Sequence, residues 1–297
     1  MSTHIQTGDR AHMDERVRAY ISPTRIVWKS AQGVLGESGL LGSSGGCVLR
    51  RSKGAEPSAL VLDFGAELNG GVRLDCPQNS CDGPVRFRVR FGESVSEAMG
   101  EPNNDHSVND MEVLIPHMGH TEVGCTGFRF VRIDLLDEGV DVALSAVRAV
   151  ALYRDIPMVG SFECDDERLN EIWKVGARTV HLCLQDHLWD GIKRDRLVWI
   201  GDIHPETRVV SAVFGQLGVV EKSLDYVRDS YPLPAWMNGI SSYSIWWIIA
   251  HYDWYQYHGD LKYLREQRDY LVGLLELLSR FVGSDGQERL DGQRFLD

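Results

Sequence analysis

Short stretches of alternating apolar and polar residues recur in the first half of the chain, at Ala59 to Phe64, Val85 to Phe91, Phe128 to Leu135 and Val142 to Tyr153. Successive side chains on a strand point to opposite faces, so each stretch predicts a strand with one face in a core. In Val85 to Phe91 every odd position is apolar and every even one is Arg, which predicts one buried and one solvated face. Asn69-Gly-Gly71 predicts a tight turn between strands. No helical period separates these runs, so the sheets are predicted to be antiparallel and the segment a β-sandwich.

The period changes after Ile156-Pro157. Asp165-Asp-Glu167 suits a helix start, and Leu169, Ile172, Trp173, Val180 and Leu184 follow at roughly helical steps. Four more helices are predicted near 205–214, 217–230, 242–258 and 260–282, joined by short or aromatic loops as antiparallel hairpins. Gly283, Gly286 and Gly292 break the pattern before the last residue, Asp297. Seven of the eight Trp lie between Trp173 and Trp254, which marks the same division. The expected organisation is multidomain β + α, with an antiparallel sandwich over 1–156 and a helical domain over 157–297.

Composition narrows the function classes. With 43% hydrophobic and 25% charged residues in 297, the chain can bury a substantial core. A net charge of −12 repels phosphate backbones and anionic headgroups, so neither nucleic acid nor membrane is expected as a partner. No apolar run approaches the roughly 20 residues of a bilayer span. Met1 to Tyr20 lacks the apolar middle of a secretory signal, and a cytoplasmic location is expected. The six cysteines are sparse and irregular, as for reduced thiols, and no metal site or cofactor is expected.

Trp189 to Asp202 is the densest polar segment, placing Asp190, Asp195 and Asp202 among two Trp and three basic residues. If the chain from Asp195 is helical, Asp195, Trp199 and Asp202 share a face. Carboxylates beside indoles suit a sugar site: the oxygens accept hydroxyl hydrogen bonds and the ring covers pyranose C–H surface. A solvated loop with internal ion pairs fits the same spacing. The second constellation runs from Pro234 to His258. Trp247, Trp254 and Tyr255 are expected in a helix core, whereas Trp236, Tyr243 and Trp246, in a Gly- and Ser-containing loop or at the helix start, are expected to line a pocket. His204-Pro-Glu206 is read as a helix start around Pro205, and Gly39 to Gly46 as a surface turn.

These segments resemble bacterial α-L-rhamnosidases of glycoside hydrolase family 78, from about Leu62 to the last residue. In the sandwich the resemblance rests on Leu62-Asp-Phe-Gly65, Glu67-Leu-Asn-Gly-Gly71, Phe91-Gly-Glu-Ser94 and Gly127-Phe-Arg-Phe-Val-Arg-Ile133. Further on it rests on Gly160 to Trp173 and on the acidic segment. The family signature is Asp, a short spacer, Arg-Asp-Glu-Arg-Leu, any residue, Trp, any residue, Gly-Asp. Here it reads Asp190, spacer, Arg194-Asp-Arg-Leu-Val-Trp-Ile-Gly-Asp202, one residue shorter.

The resemblance implies that the helices are the first part of an (α/α)6 barrel, a six-hairpin glycosidase domain, behind a concanavalin-like sandwich. It implies removal of terminal α-L-rhamnose with inversion. Asp195 then stands where the family has its Glu general acid, one methylene shorter. Asp190 and Asp202 hold sugar hydroxyls, Trp199 forms a pocket wall, and Arg194 binds substrate. Lys193, Arg194 and Arg196 would favour the ionised form of Asp195; burial against Trp199 and the charges of Asp190 and Asp202 would oppose it. About five helices stand where the family fold has twelve, so the chain is expected to be a fragment. Its general base and the second half of the barrel would lie beyond residue 297. The expected ligand is a rhamnose-containing glycoside or oligosaccharide. The competing readings are a non-catalytic carbohydrate-binding protein and another (α/α)6 glycosidase or phosphorylase.

Overall fold

A computed structural model of the chain describes residues 14–42, 45–81, 83–101 and 109–290. Most of Met1 to Tyr20 (residues 1–13), Ser43 and Ser44 of the glycine-rich turn, and Gly292 with the last residues lie outside these. The chain divides into two compact units. One is Arg16–Tyr153 with Ile192–Arg194; the other holds Arg154–Gly191 and the chain from Asp195.

The first unit is built on β1 (Arg16–Ile21), β2 (Arg25–Lys29), β3 (Val34–Leu35), β4 (Cys47–Arg51), β5 (Ser58–Cys76), β6 (Gln78–Asn79), β7 (Val85–Gly92), β8 (Asp110–Ile115), β9 (Gly119–Leu135), β10 (Val140–Leu144) and β11 (Ala146–Arg154). A seven-stranded sheet runs β1-β11-β5-β9-β7-β8 with β2 on β5, and a four-stranded sheet runs β3-β4-β10-β6. The pairings of β5 with β9, β9 with β7, β7 with β8 and β4 with β10 are all antiparallel. Leu49, Leu60, Leu62, Leu74, Phe87, Ile133 and Leu144 fill one core, in which Phe128 meets Phe91 edge-on at 5.0 Å.

Four expectations change here. Asn69-Gly-Gly71 is no turn; it lies inside β5, where the ladder with β9 shifts register between Gly70 and Val72. A Cβ on Gly70 would sit 1.9 Å from the Val150 carbonyl and one on Gly71 2.3 Å from that of Val123, so flanking strands rather than a bend require glycine. Val142 to Tyr153 is two strands: at Ser145 the chain leaves the four-stranded sheet for the seven-stranded one. The arginine face of β7 dries along its length. Arg86 is exposed, but Arg90 is buried, with its guanidinium 2.6 Å from the covered carboxylate of the half-buried Asp110 on β8 and the short helix α1 (Val95–Met99) packed over the sheet. Gly39 to Gly46 begins inside a 3-10 helix, Glu37–Leu41, whose Leu40 is buried in the core, so this is not only a surface turn.

The second unit contains α2 (Glu167–Cys183), α3 (Ile200–Val213), α4 (Gly218–Ser230), α5 (Ser241–His258) and α6 (Leu261–Ser279). Asp166 caps α2 by accepting from the Arg168 N–H at 2.8 Å, and Asp260 caps α6 by accepting from Tyr263 at 2.9 Å. Gly259, at φ 68°, ends α5. Contacts between α3 and α5 advance together, Trp199 with Tyr243, His204 with Trp246 and Ser211 with His258, so these helices run parallel. The α5–α6 contacts advance in opposition, Trp247 with Tyr270 and His251 with Tyr263. Trp247 and Trp254 are buried as expected. Of the apolar positions expected on the buried face of α2, Val180 and Leu184 are buried, whereas Leu169 and Ile172 are exposed; Asn170, Ala177 and Cys183 complete the buried face.

His251 sets a measurable property of this unit. Its Nδ1 donates to the Trp247 carbonyl at 2.9 Å, its Nε2 lies 3.4 Å from the Tyr263 hydroxyl, and both rings pack against it. Burial holds its pKa down at about 4, with the Arg228 charge acting the same way. The unfolded chain then binds the proton first, so stability falls as pH drops from about 6.5 to 4, by about 3 kcal/mol. Urea unfolding between pH 7 and 4.5 should show that loss, and His251→Gln should flatten it; equal slopes in the two proteins would refute the assignment.

Candidate functional site

The acidic segment is a loop, not a helix. The chain from Asp190 stays irregular to Trp199, which is the N-cap of α3, so Asp195, Trp199 and Asp202 do not share a helical face. The Asp190 Oδ1 accepts the Leu197 N–H at 2.8 Å, and the Asp190 N–H donates to the Leu197 carbonyl at 3.0 Å, closing the loop at its base. Asp195 and Arg196 both take left-handed backbone, φ 52° and 54°. Of the four non-glycine residues with positive φ among the described residues, three are Asp195, Arg196 and Asn238. Such strain persists only where the surroundings impose it, and it clusters at functional sites.

Asn238 is part of what imposes it. Its Oδ1 accepts the Ile200 N–H at 3.1 Å, and its Nδ2 donates to the Val198 carbonyl at 3.0 Å. One side chain thus holds both the end of the loop and the first N–H of α3. The Trp199 indole stands edge-on to Tyr243 of α5, with centroids 6.0 Å apart. A Cβ on Gly201 would meet the Tyr243 ring at 2.6 Å, so glycine is what lets this aromatic corner form.

The carboxylates of Asp190, Asp195 and Asp202 are neighbours in the electrostatic sense. Burial raises the pKa of Asp190, and the charges of Asp195 and Asp202 push it the same way. Asp202 lies in the first turn of α3, where the helix dipole favours an anion. Asp195 is exposed. Arg194 is exposed and groups with Ile192 and Lys193 in the sandwich unit, where Lys193 pairs with Glu97. Trp236 packs on Phe281 at 5.4 Å and Trp246 stacks on His204 at 4.8 Å. Of the three aromatics expected to line a pocket, Tyr243 is the one that meets Trp199.

Sequence reasoning passed over two residues. Asn238 was signalled by its Asn-Gly pair, a turn signature that tolerates left-handed backbone. Glu206 was hidden by the helix start expected at Pro205. The helix starts at Ile200, so Pro205 lies in its second turn and cannot donate to the Gly201 carbonyl. Glu206 therefore falls one turn after Asp202, on the same face. It is buried, and burial holds its pKa well above the ordinary carboxyl value, with the charges of Asp202 and Asp190 adding to the rise. Among the described residues, no group of three or more His, Cys, Asp or Glu is placed to hold a metal ion, and no helix is long and apolar enough to cross a membrane.

Residues 157–286 match the family described as the bacterial alpha-L-rhamnosidase 6 hairpin glycosidase domain. Over this segment the resemblance read from the sequence stands. No curated protein matches the chain. Among solved structures, the chain superposes on a rhamnosidase from Klebsiella oxytoca with rhamnose bound at TM-score 0.75 and 17% identity, covering 93% of this chain and 59% of that one. A family GH78 rhamnosidase of Bacillus sp. GL1 gives 0.72 and 22% over 87% and 28% of the two chains. An alpha-L-rhamnosidase from Dictyoglumus thermophilum gives 0.66 and 19% over 89% and 28%. At these identities the likeness is one of fold, and the chain spans about three-fifths of the first relative and less than a third of the others.

Proposed function

We propose that this chain is the N-terminal part of an inverting α-L-rhamnosidase, a β-sandwich domain over 1–156 followed by the opening hairpins of an (α/α)6 barrel over 157–297. The observation that carries the reading is the grouping of Asp190, Asp195 and Asp202 beside the Trp199–Tyr243 corner, inside the segment matched to a rhamnosidase domain. Parallel α3 and α5, with α6 returning antiparallel, support the barrel. In this mechanism Asp195 protonates the leaving oxygen while Asp190 and Asp202 accept hydrogen bonds from sugar hydroxyls. Trp199, with Trp236, Tyr243 and Trp246, covers the apolar surface of the ring, and Arg194 contacts substrate. A second carboxylate, contributed beyond residue 297, activates water on the opposite face of the sugar. The exposed Leu169 and Ile172 of α2 suit a helix that further barrel helices would cover. The six free thiols suit the cytoplasm.

The test uses the polypeptide encoded by the complete reading frame. It is expected to release p-nitrophenol from p-nitrophenyl α-L-rhamnopyranoside, with β-rhamnose appearing first by proton NMR. If α-rhamnose appears first the mechanism is retaining, and if rhamnose binds without turnover the protein is a carbohydrate-binding one.

A further inference from the structure

Four residues among those described carry buried side-chain polar atoms without a hydrogen-bond partner: Asn69 in the sandwich, and Trp199, Glu206 and Ser242 in the helical unit. The last three sit on the opening turns of α3 and α5, the elements that bear Asp202 and Tyr243. Buried polar atoms are nearly always paired, so three orphans near the starts of two packed helices call for an explanation.

Glu206 is the most informative of them. It is 9% exposed, and its Oε2 has no partner. The Cys183 thiol bonds the carboxyl, while Asp202 on its own helix and Asp190 on the loop face it with like charge. Asp190 and Asp202 as carboxylates can only accept hydrogen bonds. A sugar hydroxyl that donates to one of them still has oxygen lone pairs to satisfy, and these need donors. A carboxyl kept neutral in an apolar site can donate, and so can the orphaned Trp199 Nε1–H.

We propose that Glu206 is a substrate-binding residue, its Oε2 hydroxyl donating to a hydroxyl oxygen of the sugar that Asp190 and Asp202 hold from their acceptor side. The site then pairs acceptors with donors, Asp190 and Asp202 against Glu206 and Trp199, and selects a ring presenting neighbouring hydroxyls to both. Burial and the adjacent negative charges of Asp202 and Asp190 raise the Glu206 pKa well above the ordinary carboxyl value and so favour the form that can donate. This inference rests on the rhamnosidase reading above.

The test is calorimetric titration of the complete enzyme with L-rhamnose, with turnover followed in parallel across pH. Glu206→Leu removes the donor and is expected to weaken rhamnose binding about tenfold or more while thermal unfolding stays cooperative. Glu206→Gln keeps an N–H donor and is expected to bind near the wild-type level at pH 6. Raising the pH should weaken wild-type binding as Glu206 ionises, and Glu206→Gln should lack that limb. The comparison of limbs decides the matter even if the Leu variant fails to fold. A resident water, or a purely structural role, would leave rhamnose affinity unchanged in the Leu variant and the limbs identical, which overturns the proposal alone. A wild-type protein that neither binds nor hydrolyses rhamnosides overturns the rhamnosidase reading, and this inference with it.

Discussion

Asp195→Asn is expected to lower turnover of rhamnosides in the complete enzyme by about 10²–10⁴-fold, the usual contribution of a positioned general acid. The substitution is clean for a conformational reason. Asp195 sits at φ 52°, and Asn, with Asp, is among the residues that enter the left-handed region most readily, so the loop is retained while the transferable proton is lost. The size of the loss should depend on the leaving group. An alkyl aglycone departs as a poor leaving group and needs the proton, whereas p-nitrophenolate leaves with little help, so the alkyl rhamnoside should lose the larger factor. Binding of L-rhamnose should persist in the variant. Equal losses for both substrates would point to a role other than proton donation, and undiminished turnover would remove Asp195 from the mechanism.

Asn238→Ala should cost about 3 kcal/mol of stability in the helical unit and abolish productive binding. Two hydrogen bonds disappear, at about 1 kcal/mol each, and the Ile200 N–H at the start of α3 loses its acceptor. Alanine at φ 52° adds about 1–2 kcal/mol of backbone strain. Asn238→Gly isolates the two contributions, because glycine keeps the left-handed backbone freely but lacks the amide; it should lose about 2 kcal/mol. The consequence for activity follows from position. Asn238 grips the backbone on both sides of Trp199, so releasing it frees the loop carrying Asp190 and Asp195 as well as the indole. Urea unfolding and turnover measured on both variants test this, and an Ala variant as stable and active as wild type would show that the clamp does not hold the site.

Most elements of the fold were legible along the chain because their signals are local. The apolar positions of Val85 to Phe91 repeat every second residue, those of Phe128 to Leu135 do so but for one step at Phe130-Val131, and α4, α5 and α6 start and end close to where periodicity and capping residues place them. Where the reading failed, a partner distant in sequence was responsible. Gly70 and Gly71 look like a turn because glycine usually makes one; the carbonyls of Val150 and Val123 are what exclude a side chain. Arg90 alternates like a solvated residue but is covered together with Asp110, twenty positions away.

The candidate site divides the same way. Local composition alone marked Asp190, Asp195, Asp202 and Trp199 as a group, since carboxylates and indoles are rarely so dense in a solvated loop. Tertiary structure decided the rest. The loop is irregular up to Trp199 because Asp190 closes it onto Leu197 and Asn238, from a separate segment, holds its end. Tyr243 reaches Trp199, while Trp236 and Trp246 turn to Phe281 and His204, according to how α3 and α5 pack. Glu206 acquires a raised pKa and an unpaired oxygen through burial beside two other carboxyls, and burial is a property of the packed chain that no spacing along it encodes.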